Sequence, residues 1–309
     1  MKTIFLFAGQ GSQCVGMGKD MYEEFGEYRE VVDKVDASHK YKKLMDEGPI
    51  EELSETSNTQ PAMSIFAAGV VEVLKANGIK PDIAFGLSLG EYGALYTAGV
   101  FSLEDYIDVI TYRGKVMSEA AKGLECAMSA ILGLESSAVE NVVSKYKNVT
   151  IANYNCPGQY VICGDEEGVA AAEKEFSEAG AKRCVRVNVS GPFHTSYMKP
   201  AGDKLAEKLK SIELKNVQIP VIMNVTGDYS DGTPDTIRDL LEKQVQSSVH
   251  LEESIKRVLS EDECTFIEIG PGKTMSGFVK KTAKAVGATP TCYTISTAED
   301  LKKVVDVCV

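Results

Sequence analysis

The chain has 309 residues, 44% hydrophobic and 25% charged, enough for one large domain or two coupled ones without disulfide or metal staples. Its 33 basic and 45 acidic residues give a formal charge of -12, which excludes an extended electropositive groove for nucleic acid and confines any anionic partner to a local patch. The eight cysteines, at 14, 126, 156, 163, 184, 264, 292 and 308, include no C-x-x-C pair and no histidine at ligand spacing, so neither a zinc site nor a disulfide framework is expected.

The opening MKTIFLFAGQG carries one Lys and too short an apolar run for a signal-peptide core. No stretch approaches the roughly 18 apolar residues of a membrane span. A soluble, cytoplasmic protein with no membrane partner is expected. Thr3–Ala8 reads as a buried strand, followed by helical periodicity through MYEEFGEYREVVDKVD. Asn58 and Thr59 ahead of Pro61 give a helix-start signal, and AMSIFAAGVVEVLKANG is apolar nearly all round, so this helix belongs in the core and ends near Asn77-Gly78. DIAFG reads as a second short strand, and LGEYGALYTAG as the helix that follows Ser88.

From Cys126 to Val187 the texture changes to six short elements: strand AMSAILGL, helix SSAVENVVSKYK, strands VTIANYN and QYVICG, helix EEGVAAAEKEFSEAG and strand KRCVRV. That βαββαβ order predicts a ferredoxin-like unit. Longer α/β elements resume with helix KLAEKLKSI, strand VIMNV, helix TIRDLLEKQV, strand TFIEIG, helix KTMSGFVKKTAKAVG and a last strand-helix pair. The fold class expected is therefore α/β: a large subdomain over 1–125 and 191–309, with a small subdomain over 126–190 inserted into it and a cleft between them.

Gly86-Leu87-Ser88-Leu89-Gly90 fits the Gly-x-Ser-x-Gly pattern of a nucleophilic serine, and its strand-turn-helix setting is the one that pattern requires. A serine hydroxyl is a poor nucleophile near neutral pH and needs a base, normally histidine. Of the three histidines, His39 lies in a charged segment and His250 opens a charged helix. His194 follows VNVSGPF where the small unit rejoins the large one, and reads either as the base or as a satisfied structural histidine. No acid stands out as a third member, so whatever orients the imidazole need not be a carboxylate. Leu89, after the serine, sits where a helix N-terminus leaves backbone N–H groups free for an oxyanion, and Gln10 in AGQGSQCVGMG is a candidate second donor. The Gln10 loop could equally be a plain Gly-rich turn or a phosphate cradle, although neither a dinucleotide nor a Walker pattern is present. Arg113, in DVITYRGKVMSEA, reads either as a surface ion-pair partner or as a bidentate clamp for a substrate carboxylate.

Taken together and in order, FAGQGSQ, QPAMSIFA, GLSLGEYGAL, YRGKVMSEA, ANYNCPGQYVICG, SGPFHTSYM, EKQVQSSVHLEESI and FIEIGPGK resemble the malonyl-CoA:acyl carrier protein transacylases of fatty acid synthesis. Polyketide synthase acyltransferase domains share the set. The resemblance implies an α/β-hydrolase-like large subdomain with a ferredoxin-like small one. It implies Ser88 as the acylated nucleophile, His194 as its base, and Gln10 and Leu89 as oxyanion donors. Arg113 would hold the malonyl carboxylate, and Gln244 would orient His194 through its main-chain carbonyl. Phe193 would wall the pocket, favouring malonyl over methylmalonyl, and Asn153 and Asn155 would contact substrate. The family usually has His before the nucleophile, where this chain has Leu87, which implies a retuned pocket. SSVHL also departs from the family, which often shows an Asn-Pro and an aromatic there.

The implied reaction is ping-pong malonyl transfer from malonyl-CoA to the phosphopantetheine thiol of an acidic acyl carrier protein, with malonyl-CoA as substrate and no permanently bound cofactor. Lys182, Arg183 and Arg186, with Lys273, Lys280 and Lys281, are candidates for the basic docking rim. A chain with no carrier or synthase domain attached leans toward fatty acid rather than polyketide synthesis, and a monomer is expected. The rivals are a serine esterase or thioesterase and a non-catalytic binding subunit.

Overall fold

The computed structural model describes residues 1–187, 191–261 and 263–308, so the last three residues of the expected small subdomain, 188–190, lie outside the described residues. The chain opens with Lys2–Phe7 (β1), then the short helices Lys19–Glu24 (α1), Gly26–Val35 (α2), Lys40–Glu47 (α3) and Ile50–Leu53 (α4). The helical run expected through MYEEFGEYREVVDKVD is broken at Phe25, whose extended backbone (φ −114°, ψ 121°) ends α1 and starts α2. Thr56–Ala76 (α5) follows, buried on nearly every side. It starts at Thr56 rather than at Asn58. Asn58 Nδ2 and Thr59 Oγ1 donate back to the Glu52 and Leu53 carbonyls, at 3.1 and 2.5 Å, instead of capping the helix, and Pro61 falls inside it.

Ile83–Gly86 (β2) leads through Ser88 into Gly90–Thr97 (α6), and Leu103–Ala121 (α7) carries Arg113. Ser102 starts α7 by accepting the Asp105 N–H with its hydroxyl, so Arg113 is placed by a capped helix. Next come Cys126–Leu132 (β3), Ser136–Val143 (α8), Val149–Cys156 (β4), Gln159–Asp165 (β5), Glu166–Glu178 (α9) and Arg183–Arg186 (β6). The return segment contains Lys199–Lys210 (α10), Ile222–Met223 (β7), Asp228–Tyr229 (β8), Pro234–Gln244 (α11), Val249–His250 (β9), Leu251–Leu259 (α12), Cys264–Ile269 (β10), Thr274–Val286 (α13), Thr291–Ile295 (β11) and Ala298–Cys308 (α14). Of the expected strand VIMNV, Ile222 and Met223 pair antiparallel to β8 and Val221 makes a single parallel bridge to Ala84 of β2, while Asn224 is drawn into polar contacts described below.

The large sheet has the order β11-β10-β1-β2, parallel throughout. β2 and β10 are buried along their whole length, as strands within a parallel α/β sheet are, and the buried Glu268 of β10 accepts the Met275 and Ser276 N–H groups. Phe85 and Phe266 meet edge to face across it, with centroids 6.5 Å apart. Burial of each such ring contributes about 1.5–3 kcal/mol.

β3, β4, β5 and β6 form an antiparallel sheet in the order β6-β3-β5-β4, with its own core around Ile131, Val139, Ile162 and Phe176. β9 then adds to β4 in parallel, and Ser248 Oγ donates to the Ile151 carbonyl at 2.6 Å. The segment following α11 thus belongs to both sheets' surroundings and ties Gln244 to the small sheet. The loops that follow β1 and β2 meet at the carboxyl edge of the parallel sheet, the usual place for a ligand crevice in an open α/β fold.

Candidate active site

Ser88 occupies a left-handed backbone conformation (φ 54°) between β2 and α6. A side chain other than glycine rarely accepts that conformation, so the turn is strained and has to be held by its surroundings. Glycine flanks it for steric reasons. A Cβ on Gly86 would be driven into the Gly90 backbone, and one on Gly90 into the Phe7 carbonyl at the end of β1. The Gly-x-Ser-x-Gly spacing is what allows the serine turn to press against the neighbouring strand.

His194 Nε2 lies 2.7 Å from Ser88 Oγ, and His194 Nδ1 lies 2.8 Å from the Gln244 carbonyl oxygen. A carbonyl can only accept, so Nδ1 carries the proton and Nε2 is left as acceptor for the serine hydroxyl. His194 is itself in a left-handed conformation (φ 62°), and its N–H donates to the Val245 carbonyl at 3.0 Å. Burial, reinforced by the nearby Arg113 charge, pushes its pKa down to about 4 against the raising effect of hydrogen bonds to Gln244 and Ser247. The imidazole is therefore neutral at pH 7 and able to take a proton.

Arg113 is fully buried. Its Nη2 donates to Ser88 Oγ at 3.1 Å and to Gln244 Oε1 at 2.9 Å, while Nε and Nη1 have no hydrogen-bond partner. Its Cζ lies 5.3 Å from the centre of the Tyr92 ring. A guanidinium left with unmet donors in a buried position is under-compensated, and a carboxylate supplies two oxygens in matching geometry. The surface ion-pair reading of Arg113 is thereby overturned.

Leu89 is buried at the start of α6, and its N–H, like that of Gln10, makes no hydrogen bond among the described residues. The Gln10 side chain donates to Thr56 Oγ1 at 3.0 Å, which anchors the loop after β1 beside α5. Phe193 is buried directly before His194, against Gly191. Asn153 and Asn155 lie buried on β4, and Asn155 Oδ1 has no partner. Neither shares a hydrogen bond with the Ser88 group among the described residues. Leu87 packs over Gly9, leaving an apolar neighbour beside the serine. The other histidines stand apart: His39 is exposed and pairs with Asp33 at 2.9 Å, and His250 stacks on Tyr154 with ring centres 5.0 Å apart. Among the described residues, no cluster of His, Cys, Asp or Glu could hold a metal ion.

Residues 4–305 match the model of the acyl transferase domain family. The chain belongs to this family. It is 45% identical over 286 residues to the malonyl CoA-acyl carrier protein transacylase of Bacillus subtilis, a match covering 91% of this chain and 90% of that one. Among solved structures, the MCAT of Streptococcus pneumoniae superimposes with a TM-score of 0.92 at 36% identity, over 99% of this chain and 100% of that one. A malonyl-transacylase in complex with a type II polyketide synthase acyl-carrier protein superimposes with a TM-score of 0.93 at 32% identity, over 99% and 100%.

Two further residues of this acyltransferase join the site, and the sequence reading passed over both. Asn224, just after β7, accepts the Ser88 N–H at 2.7 Å and donates through Nδ2 to the Gly86 carbonyl at 2.7 Å. Glu91, three residues after the serine, is completely buried; burial raises its pKa, and the Asn224 N–H, the Arg113 charge and the Gln244 amide act the other way and favour its carboxylate form. Each carried a faint signal, Asn224 as the lone polar residue of VIMNV and Glu91 as the lone charged residue of LGEYGALYTAG. On the surface, Arg186 is already paired with Glu166 and Glu173, and Lys281 donates to Gln159. Lys273 and Lys280 are exposed and make no ion pair among the described residues.

Proposed function

We propose that the chain transfers the malonyl group of malonyl-CoA to the phosphopantetheine thiol of an acyl carrier protein of fatty acid synthesis, by a ping-pong route through a malonyl ester of Ser88. In the first half-reaction Ser88 Oγ attacks the thioester carbonyl as His194 Nε2 takes its proton. Collapse of the tetrahedral adduct breaks the carbon–sulfur bond, and the CoA thiolate leaves with the proton from Nε2. In the second, His194 Nε2 takes the proton of the carrier thiol, whose sulfur attacks the ester carbonyl; collapse breaks the carbon–oxygen bond and the proton passes from Nε2 to Ser88 Oγ. The N–H groups of Leu89 and Gln10 serve the oxyanion in both.

The observation that carries this reading is the buried Arg113 guanidinium, which shares Ser88 Oγ with His194 and has two unmet donors. It calls for an acyl group that ends in a carboxylate. An arginine–malonyl pair also fixes the acyl chain and fills space that water would need, which favours transfer over hydrolysis. Phe193 is the pocket wall in this reading, and Asn153 and Asn155 approach the substrate from the small sheet. The carrier docks at Lys273 and Lys280, whose charges are unspent, with Lys182 and Arg183 as a second arm. A cytoplasmic monomer is the working form.

Mixing the enzyme with malonyl-CoA alone tests the reading. One equivalent of CoA should be released in a burst and turnover should then wait for a carrier thiol. Steady production of free malonate would instead identify a thioesterase.

A further inference from the structure

The backbone N–H and the backbone carbonyl of Ser88 are both held by side chains from the return segment. Asn224 Oδ1 accepts its N–H at 2.7 Å, and Gln244 Nε2 donates to its carbonyl at 2.8 Å. An amide side chain has a donor end and an acceptor end, so Gln244 does this only in one of two orientations. In that orientation Nε2 faces Ser88 and Oε1 faces Arg113 Nη2. Turned over, it would set Oε1 against the serine carbonyl and Nε2 against the guanidinium, opposing acceptor to acceptor and donor to donor.

A third contact secures the same orientation. Glu91 Oε1 accepts from Gln244 Nε2 at 3.0 Å, and Glu91 Oε2 accepts the Asn224 N–H in a short hydrogen bond. Both carboxyl oxygens face donors, an arrangement that calls for the ionised form, which those donors and the Arg113 charge favour against burial. One of those donors is a backbone N–H that has no alternative orientation.

We propose that Glu91 is a positioning residue for the transfer reaction: by presenting acceptors to both Gln244 and Asn224, it fixes the amide orientation that holds the strained Ser88 peptide and the Arg113 guanidinium in register. The inference rests on the reading of Ser88 as nucleophile. It concerns acceptor chemistry rather than bulk, and that distinction makes it testable. In Glu91→Gln the new amide must keep its oxygen toward the Asn224 N–H, which sets its NH2 against Gln244 Nε2. Relief requires Gln244 to turn over and abandon both Ser88 and Arg113. Glu91→Asp leaves a small void but keeps two acceptors.

The test is malonyl transfer measured for Glu91→Gln, Glu91→Asp, Gln244→Met and the double variant Glu91→Gln with Gln244→Met, alongside melting temperatures and a Ser88→Ala control. Glu91→Gln should lose on the order of 100-fold in kcat/KM, the scale of a buried donor left unmet beside a catalytic group. Glu91→Asp should lose less than Glu91→Gln, despite its poorer fit. With no amide at position 244 there is no donor for the new amide to oppose, so Glu91→Gln should cost at least about tenfold less in the Gln244→Met background than in the wild-type one. If Glu91→Gln does not fold alone, recovery of folded protein in the double variant carries the same test. A packing role predicts the opposite order, with the isosteric Gln variant better than Asp. That order, or single-variant effects that simply multiply in the double, would overturn the proposal. Activity surviving in Ser88→Ala would instead overturn the nucleophile reading beneath it.

Discussion

Arg113 Nη2 and His194 Nε2 both reach Ser88 Oγ, at 3.1 and 2.7 Å, so one hydroxyl is shared by a base and by a buried cation. The cation stabilises negative charge close to the serine and disfavours positive charge on the imidazole. In the proposed reaction the clamp for the acyl group and the tuning of the base therefore come from one side chain.

Removing that side chain should separate substrates by charge. Arg113→Ala should lower kcat/KM for malonyl-CoA by roughly 100-fold or more, the scale of a charge-assisted bidentate contact, while loading of acetyl-CoA stays within a few-fold of its original rate. Competition between the two thioesters for Ser88 is the measurement. Unchanged malonyl preference would remove Arg113 from the pocket.

The pH dependence follows from His194. Its pKa is depressed from 6.5 to about 4 in the folded protein, so the neutral, competent base persists well below pH 6.5. The acidic limb of kcat/KM for acylation should therefore fall below pH 5 rather than near 6.5. Because Arg113 is one of the lowering causes, Arg113→Ala should move that limb toward higher pH. The stability contribution has the same sign: the folded state prefers neutral His194, so the contribution is fully present above pH 6.5 and is lost as pH falls through about 4.

The glycines of the elbow should be intolerant for geometric reasons. Gly90→Ala sets a methyl group against the Phe7 and Ala8 carbonyl oxygens, which are backbone and give way poorly. A loss of about 1–3 kcal/mol in stability is expected, together with a much larger fall in kcat as Ser88 leaves the reach of His194. Chemical denaturation and single-turnover acylation read the two separately. Near-normal acylation would mean that the turn is not under this constraint.

Carrier docking should depend on the unpaired lysines. Replacing Lys273 and Lys280 with Gln should raise KM for the carrier several-fold and flatten its salt dependence, without changing CoA release from malonyl-CoA. Arg186→Gln should change little, because Glu166 and Glu173 already engage that charge. Equal effects at both places would count against docking on the α13 side.

The serine turn was legible in the sequence because its constraints are local: a short strand, two glycines and a helix start lie within ten residues. His194 was separable from His39 and His250 by its place at the junction of the two units. Gln244 was reached through resemblance, as a backbone carbonyl, and its side chain was not anticipated. Amides act here through orientation, and neither Gln244 nor Asn224 has a spacing that marks it. Glu91 looked like an ordinary helix residue because burial, which gives a carboxylate its consequence, is a tertiary property. The start of α5 was misplaced for a related reason: Asn58 and Thr59 spend their side chains on α4 instead of on a cap.

The measurement that bears most directly on the central claim is mass spectrometry of the intact protein and its peptides after brief exposure to malonyl-CoA. One malonyl group should appear, on the peptide containing Ser88. It should be absent from Ser88→Ala, form slowly in His194→Ala, and disappear when a carrier thiol is added. A malonyl group found elsewhere, or complete transfer to the carrier with no Ser88 adduct and undiminished activity in Ser88→Ala, would contradict the account.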